Sequence, residues 1–140
     1  MNLIKILLTL VLTAALVLTA PSCKQKPSDD PFANAVYTED TSVGTGETSF
    51  KLEVSVLENT VIFTVSTDAK TVGEALLQNG IISGDEGPYG LYIKVVNGIT
   101  ADYDIDGSYW SFYINGEYAM SGVDQTEIDP SAVYKLEYTK

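Results

Sequence analysis

The last two thirds of this sequence predict an α+β domain in which one helix lies across a mixed sheet. Three observations carry that prediction. Apolar residues alternate with polar ones from Ser49 onward, a single capped helical segment interrupts the alternation, and two Asn-Gly pairs separate later apolar runs. About ninety residues are involved, enough for one hydrophobic core and not for two.

The first strand sets Phe50, Leu52, Val54 and Val56 on one side against Lys51, Glu53 and Ser55 on the other, the period of a half-buried strand. After a break at Glu58 and Asn59, Val61, Phe63 and Val65 resume that period, so an antiparallel hairpin is expected. The helix is "TVGEALLQNG", residues 71–80. Thr71 is placed as N-cap, Glu74 completes a capping box, Val72, Ala75 and Leu76 share a face, and Gly80 ends it. Beyond it "LYIKVV", "YWSFYI", "EYAM" and "AVYKLEY" read as strands, with turns at Asn97-Gly98 and Asn115-Gly116 and a break at Asp129-Pro130.

The chain begins differently. Residues 1–22 have the form of a secretory signal peptide, with an apolar run at Ile6–Ala20 that is short for a membrane span. "LTAPSC" follows, ending at Cys23, the only cysteine; it resembles the lipobox of bacterial lipoproteins, which implies cleavage before Cys23 and acylation of that residue. The alternative is an ordinary leader that leaves a free thiol. Residues 23–48, with two prolines after the cysteine and no sustained periodicity, read as a flexible linker, or as an extension packed on the domain. The expected organisation is therefore leader 1–22, lipid-anchored linker 23–48 and domain 49–140, on the extracellular face of a bacterial membrane.

Charge narrows the partners. Without the leader, seven lysines face nineteen carboxylates, a formal charge of −12. Nucleic acid is disfavoured, and attachment to a membrane falls to covalent lipid rather than a basic face. The chain contains no histidine, so Ser-His, Cys-His and histidine-ligated metal chemistry have no residues to run on. A binding protein rather than an enzyme is expected, with no required cofactor. "DYDIDG" places Asp102, Asp104, Asp106 and Gly107 as in the opening of an EF-hand calcium loop, but Tyr113 stands where the closing glutamate belongs. The reading is a polar turn without metal.

The hairpin that follows is more informative. A two-residue turn at Asn115-Gly116 pairs Tyr113 with Tyr118, and puts Trp110, Phe112 and Ile114 on one face and Tyr109, Ser111 and Tyr113 on the other. Both faces are substantially apolar. One can cover the core, and the second then needs a partner: a ligand, a protein or another part of the chain.

From "TVGEALLQNG" through "GPYGLYIKVVNGITAD" and "YWSFYINGEYAMSGVD" to "AVYKLEY", the sequence resembles the transcobalamin-like C-terminal domain of bacterial surface proteins and vertebrate cobalamin carriers. The resemblance implies a β-grasp-like mixed sheet with one main helix packed across it and an aromatic β-hairpin. It places ligand contacts at Tyr89, Gly90 and Leu91, at Tyr109 and Trp110, and at Gly122 and Val123 on an expected "SGVD" strand. The ligand so implied is a corrinoid such as cobalamin, with a surface protein or transporter as a further partner. A rival reading is an adhesion or protein-interaction module without a small-molecule ligand.

Overall fold

The computed structural model describes residues 29–140; the leader and Cys23 lie outside the described residues. Two sheets are formed by β1 (Thr41–Gly44), β2 (Thr48–Val56), β3 (Asn59–Thr67), β4 (Ile82–Gly87), β5 (Gly90–Val96), β6 (Ile99–Thr100), β7 (Tyr109–Ile114), β8 (Glu117–Tyr118) and β9 (Val133–Thr139). The larger runs β1-β3-β2-β9-β7-β8 and the smaller β4-β5-β6. Helix α1 is Val72–Gln78, a single turn α2 is Tyr103–Asp106, and 3₁₀ turns cover Pro31–Asn34 and Val123–Gln125. The α+β class and the grasp-like arrangement expected from the sequence are both present.

At the centre, β2 and β3 pair antiparallel with Leu52 opposite Phe63 and Val54 opposite Val61. Alternate side chains of both strands are buried, and Leu52, Val54, Val61 and Phe63 are completely so. Burying each such side chain contributes about 1.5–3 kcal/mol. β9 lies parallel to β2, with Leu52 opposite Tyr134 and Val54 opposite Leu136, so the first long strand and the last are neighbours in mid-sheet. Antiparallel β7 then extends the sheet.

Helix α1 forms where the capping signal predicts. Thr71 Oγ1 accepts from the Glu74 N–H at 3.2 Å, while the Glu74 carboxylate accepts from the Lys70 N–H at 3.3 Å, one residue before the N-cap. Val72, Gly73, Ala75 and Leu76 are buried, and Val72, Ala75 and Leu76 join the core beside the β2–β3 side chains. Gly80 follows at φ +65°, the left-handed backbone that ends many helices.

Three features differ from the leading sequence reading or were not in it. First, residues 31–48 form the packed extension and not the flexible linker. β1 pairs in parallel with β3, the Tyr37 ring meets the Phe63 ring edge-on at 5.5 Å, and Asn97 holds Tyr37 by both backbone groups, at 2.9 and 2.8 Å. This attachment depends on hydrogen bonds and one four-residue strand, so it leaves no apolar period in the sequence. Second, Ile82–Gly87 is a strand although its sequence, "ISGDEG", has almost no apolar residue; β5 supplies its partner. Third, the Asn97-Gly98 turn leads only into β6, not directly into β7. The turns themselves are as expected: Asn97 and Gly98 have φ of 51° and 78°, and Asn115 and Gly116 have 50° and 82°, the two positive angles of a type I′ turn.

Candidate functional site

Two of the three carboxylates of "DYDIDG", those of Asp102 and Asp106, accept from nearby backbone N–H groups. The Asp102 side chain accepts from the Asp104 N–H at 3.1 Å and so caps α2, and Gly107 ends that turn at φ +77°. Asp106 accepts from the Ser108 N–H at 3.0 Å and from its hydroxyl, and these bonds hold the Asp106 carboxyl below the usual range. Tyr113, in the place of the closing glutamate, is inside β7. The segment works as a turn that delivers the chain to β7.

β7 and β8 form the expected aromatic hairpin, with Tyr113 opposite Tyr118 and their rings edge-to-face at 5.6 Å. Its two faces have different neighbours. On one, Lys135 places its ammonium 4.9 Å from the Tyr113 ring centroid and pairs with Glu137; the hydrogen bond to Glu137 raises the Lys135 pKa. On the other, Phe112 stacks on Tyr134 at 6.1 Å and Trp110 meets Tyr138 edge-on at 5.7 Å. The Trp110 indole N–H donates to the Lys94 carbonyl of β5 at 3.3 Å. That bond ties the two sheets together.

Beside this tie the sheets diverge around a groove of about 510 Å³ between β5 and the β7–β8 hairpin with its following loop, within the range of small-molecule sites. Tyr89, Leu91, Tyr109, Trp110 and Gly122 line it, five of the seven residues expected from sequence. Tyr92, Ile93, Phe112, Tyr118 and Met120 line it too, and sequence reasoning did not single them out as contacts. The signal for Tyr92 and Ile93 was available, since they continue the same strand past Leu91; Met120 had none. Among the described residues no charged side chain is in the lining. Tyr89 is 95% exposed and Met120 fully exposed, so the rim stands open to solvent. Along this side of β5, β6 pairs only with Val95 and Val96, while Asp124 accepts from the Leu91 N–H and Trp110 and Ala101 donate to the Lys94 carbonyl.

Gly90 and Val123 are placed differently from the expectation. Residues 123–125 form a 3₁₀ turn and no "SGVD" strand, and Val123, only 1% exposed, belongs to the core. That turn carries Asp124 into the space between the two glycines. A Cβ on Gly90 would stand 2.6 Å from Asp124 Oδ2, and one on Gly122 2.8 Å from Oδ1. The close approach that these glycines permit is thus to a side chain of the same chain. Asp124 Oδ2 accepts from the Leu91 N–H at 3.3 Å, which fixes the tip of the β4–β5 hairpin against the 3₁₀ turn; Oδ1 is buried and has no hydrogen-bond partner among the described residues.

A larger cleft, about 1120 Å³, opens where the described chain starts and ends, and Asp29, Asp30, Asp106, Glu137 and Lys140 are in its lining. None of the seven expected contacts reaches it, and its charged walls lack the clustered aromatic surface of the groove. The groove is therefore the candidate site.

The family described as a domain of unknown function, DUF4430, matches residues 69–140. Among solved structures, a candidate metal-binding protein from Ruminococcus gnavus is 29% identical with a TM-score of 0.62; the match covers 67% of this chain and 98% of that one. Haptocorrin, solved in complex with Cbi, shares the fold at a TM-score of 0.54 with 19% identity, over 70% of this chain and 26% of haptocorrin. The chain thus corresponds to about a quarter of that protein. No protein of curated function matches the chain.

Proposed function

The chain belongs to the DUF4430 family, and from that premise we propose that it is a surface lipoprotein, anchored through Cys23, whose domain captures a small ligand in the groove between β5 and the β7–β8 hairpin. The leading candidate for the ligand is a corrinoid. The observation that carries this reading is the convergence of Tyr89, Leu91, Tyr109, Trp110 and Gly122 on one uncharged, aromatic-lined groove of about 510 Å³. Aromatic walls suit a large planar ring, and the Ser121 and Gln125 side chains in the lining suit the carboxamides around a corrin. The fold shared with haptocorrin supports the reading as fold alone. Capture or hand-over, not catalysis, is the role, in keeping with a chain that has no histidine and a groove without an ionisable acid or base beyond its tyrosines.

Cobinamide titrated against Trp110 emission tests it. Trp110 is the only tryptophan, so saturable quenching reports this groove. Tyr89→Ala removes stacking area worth about 1 kcal/mol and is expected to weaken binding roughly fivefold. Quenching that rises linearly with cobinamide and equally in the variant is inner-filter absorption, and transfers the groove to the protein-interaction reading. Anchoring is tested separately: Cys23 is expected to carry an acyl mass increase, and a soluble product with a free thiol sinks the anchor without touching the groove.

A further inference from the structure

A second cleft, about 590 Å³, is lined by Tyr92, Tyr103, Asp104 and Tyr109. Three tyrosines and one carboxylate, with no cationic side chain among them, make a distinctive set. Tyr103 comes from α2 and Tyr109 from the start of β7, and their rings lie 6.3 Å apart at 62°, so they form two inclined walls. Tyr92 comes from β5. Tyr103 is 63% exposed and Tyr92 43%, more than a core or hairpin contact requires. The nearby ammonium of Lys94 is engaged by Asp85 at 2.8 Å, and that partner raises its pKa; the ring-to-cation contact found in the described residues is at Tyr113 instead.

We propose that this cleft binds an alkylated ammonium group, such as the trimethylammonium of choline or of a trimethylated lysine. Ring faces carry negative quadrupole charge and attract a cation held over them. They cannot replace the hydrogen bonds that a primary ammonium gives up on leaving water. A quaternary ammonium makes no such bonds, so it loses least on desolvation, and the carboxylate of Asp104 at the lip supplies charge without demanding donors. The strongly acidic chain adds a long-range attraction for cations. The same field disfavours phosphocholine, whose phosphate would approach carboxylates. Tyr92 and Tyr109 also line the groove, whereas Tyr103 and Asp104 line this cleft alone, so the two sites can be separated by substitution.

The test is a titration of the full chain with tetramethylammonium chloride, followed by the tyrosine ring signals in NMR spectra at constant ionic strength. Saturable shifts are expected in the millimolar range, as for an exposed cation–π site, with ammonium chloride at least about tenfold weaker. Tyr103→Ala and Asp104→Asn, both at exposed positions, are each expected to weaken tetramethylammonium severalfold while leaving thermal unfolding unchanged. Choline and a trimethyl-lysine peptide then distinguish free headgroup from modified protein as the source. Equal responses to ammonium and tetramethylammonium, absence of saturation, or unchanged binding in Tyr103→Ala overturns the proposal. Loss of cobinamide binding in the groove would leave it standing.

Discussion

The centre of the large sheet and the end where the two sheets meet are built from similar residue types to opposite effect. In β2, β3 and β9, apolar side chains largely alternate with polar ones and most of the apolar ones are buried in the core. In β5, β7 and β8 the aromatic side chains are distributed over both faces and many stay half-exposed. The centre uses its apolar surface for stability. The meeting end leaves aromatic surface uncovered, and beside the ring contacts of Trp110, Phe112 and Tyr113 two polar features hold it in shape: the Trp110 bond to Lys94 and the Asp124 wedge. The proposed recognition surface thus lies at the meeting end, while most of the fully buried side chains lie at the centre, and Trp110 and Phe112 belong to both.

This division can be broken most forcefully at Leu52, which is completely buried. Leu52→Ala is expected to cost about 2–5 kcal/mol in denaturant unfolding while cobinamide affinity of the folded fraction stays unchanged; a parallel fall in affinity would show that the regions are not separate. Gly90→Ala comes next. It forces a Cβ to within 2.6 Å of Asp124 Oδ2 at a φ of +103°, at a cost of about 1–3 kcal/mol, and adding Asp124→Ala should return part of that loss. Additivity of the two substitutions would remove the wedge from the account. Thr71→Ala, which deletes the α1 cap, is expected to cost about 1 kcal/mol by thermal unfolding, with no change at the groove. Met120→Ser, at a fully exposed position, should stay within about 0.5 kcal/mol in stability and weaken only ligand binding.

The smallest effect concerns pH. Ser108 holds the folded Asp106 carboxyl below its ordinary value, so its stabilising contribution is present above the unfolded pKa, about 3.9, and fades as pH falls through the lower folded value. Amide exchange at Ser108, measured relative to the intrinsic rate at each pH, should accelerate in that acid window while exchange in β2 and β3 does not. Simultaneous acceleration of both would mean that the 102–108 turn is no independent unit.

The same contrast decides what could be read from the amino acids alone. Period two in β2 and β3 is imposed by a one-sided core, so Phe50, Leu52, Val61 and Phe63 announced their faces and partners. The capped helix and both Asn-Gly turns were equally plain, because local backbone chemistry suffices to specify them. β4 was invisible since, Ile82 and the Asp85 pair with Lys94 apart, it is held by pairing with β5 and carries no apolar period of its own. The 31–48 segment was invisible because Asn97, sixty residues on in the chain, supplies its hydrogen bonds. At the site, Tyr89, Tyr109 and Trp110 could be named and Tyr92 and Tyr118 were not, and whether Gly90 and Gly122 approach a ligand or a neighbouring carboxylate depends on where Asp124 falls, which no local pattern states.

One feature of the large sheet bears on how the chain reaches this state. Leu52 pairs with Tyr134, 82 residues further on, and the strands on either side of that pair hang on it. Closing so long a loop is entropically slow, and topologies dominated by such pairings fold in milliseconds to seconds rather than microseconds. Until Val133–Thr139 is in place, β2 and β7 both present bare edges of the kind that recruit other chains. A nascent or truncated polypeptide lacking its last strand is consequently the species in which aggregation and proteolysis should concentrate, and the lifetime of that species is set by the arrival of the final eight residues.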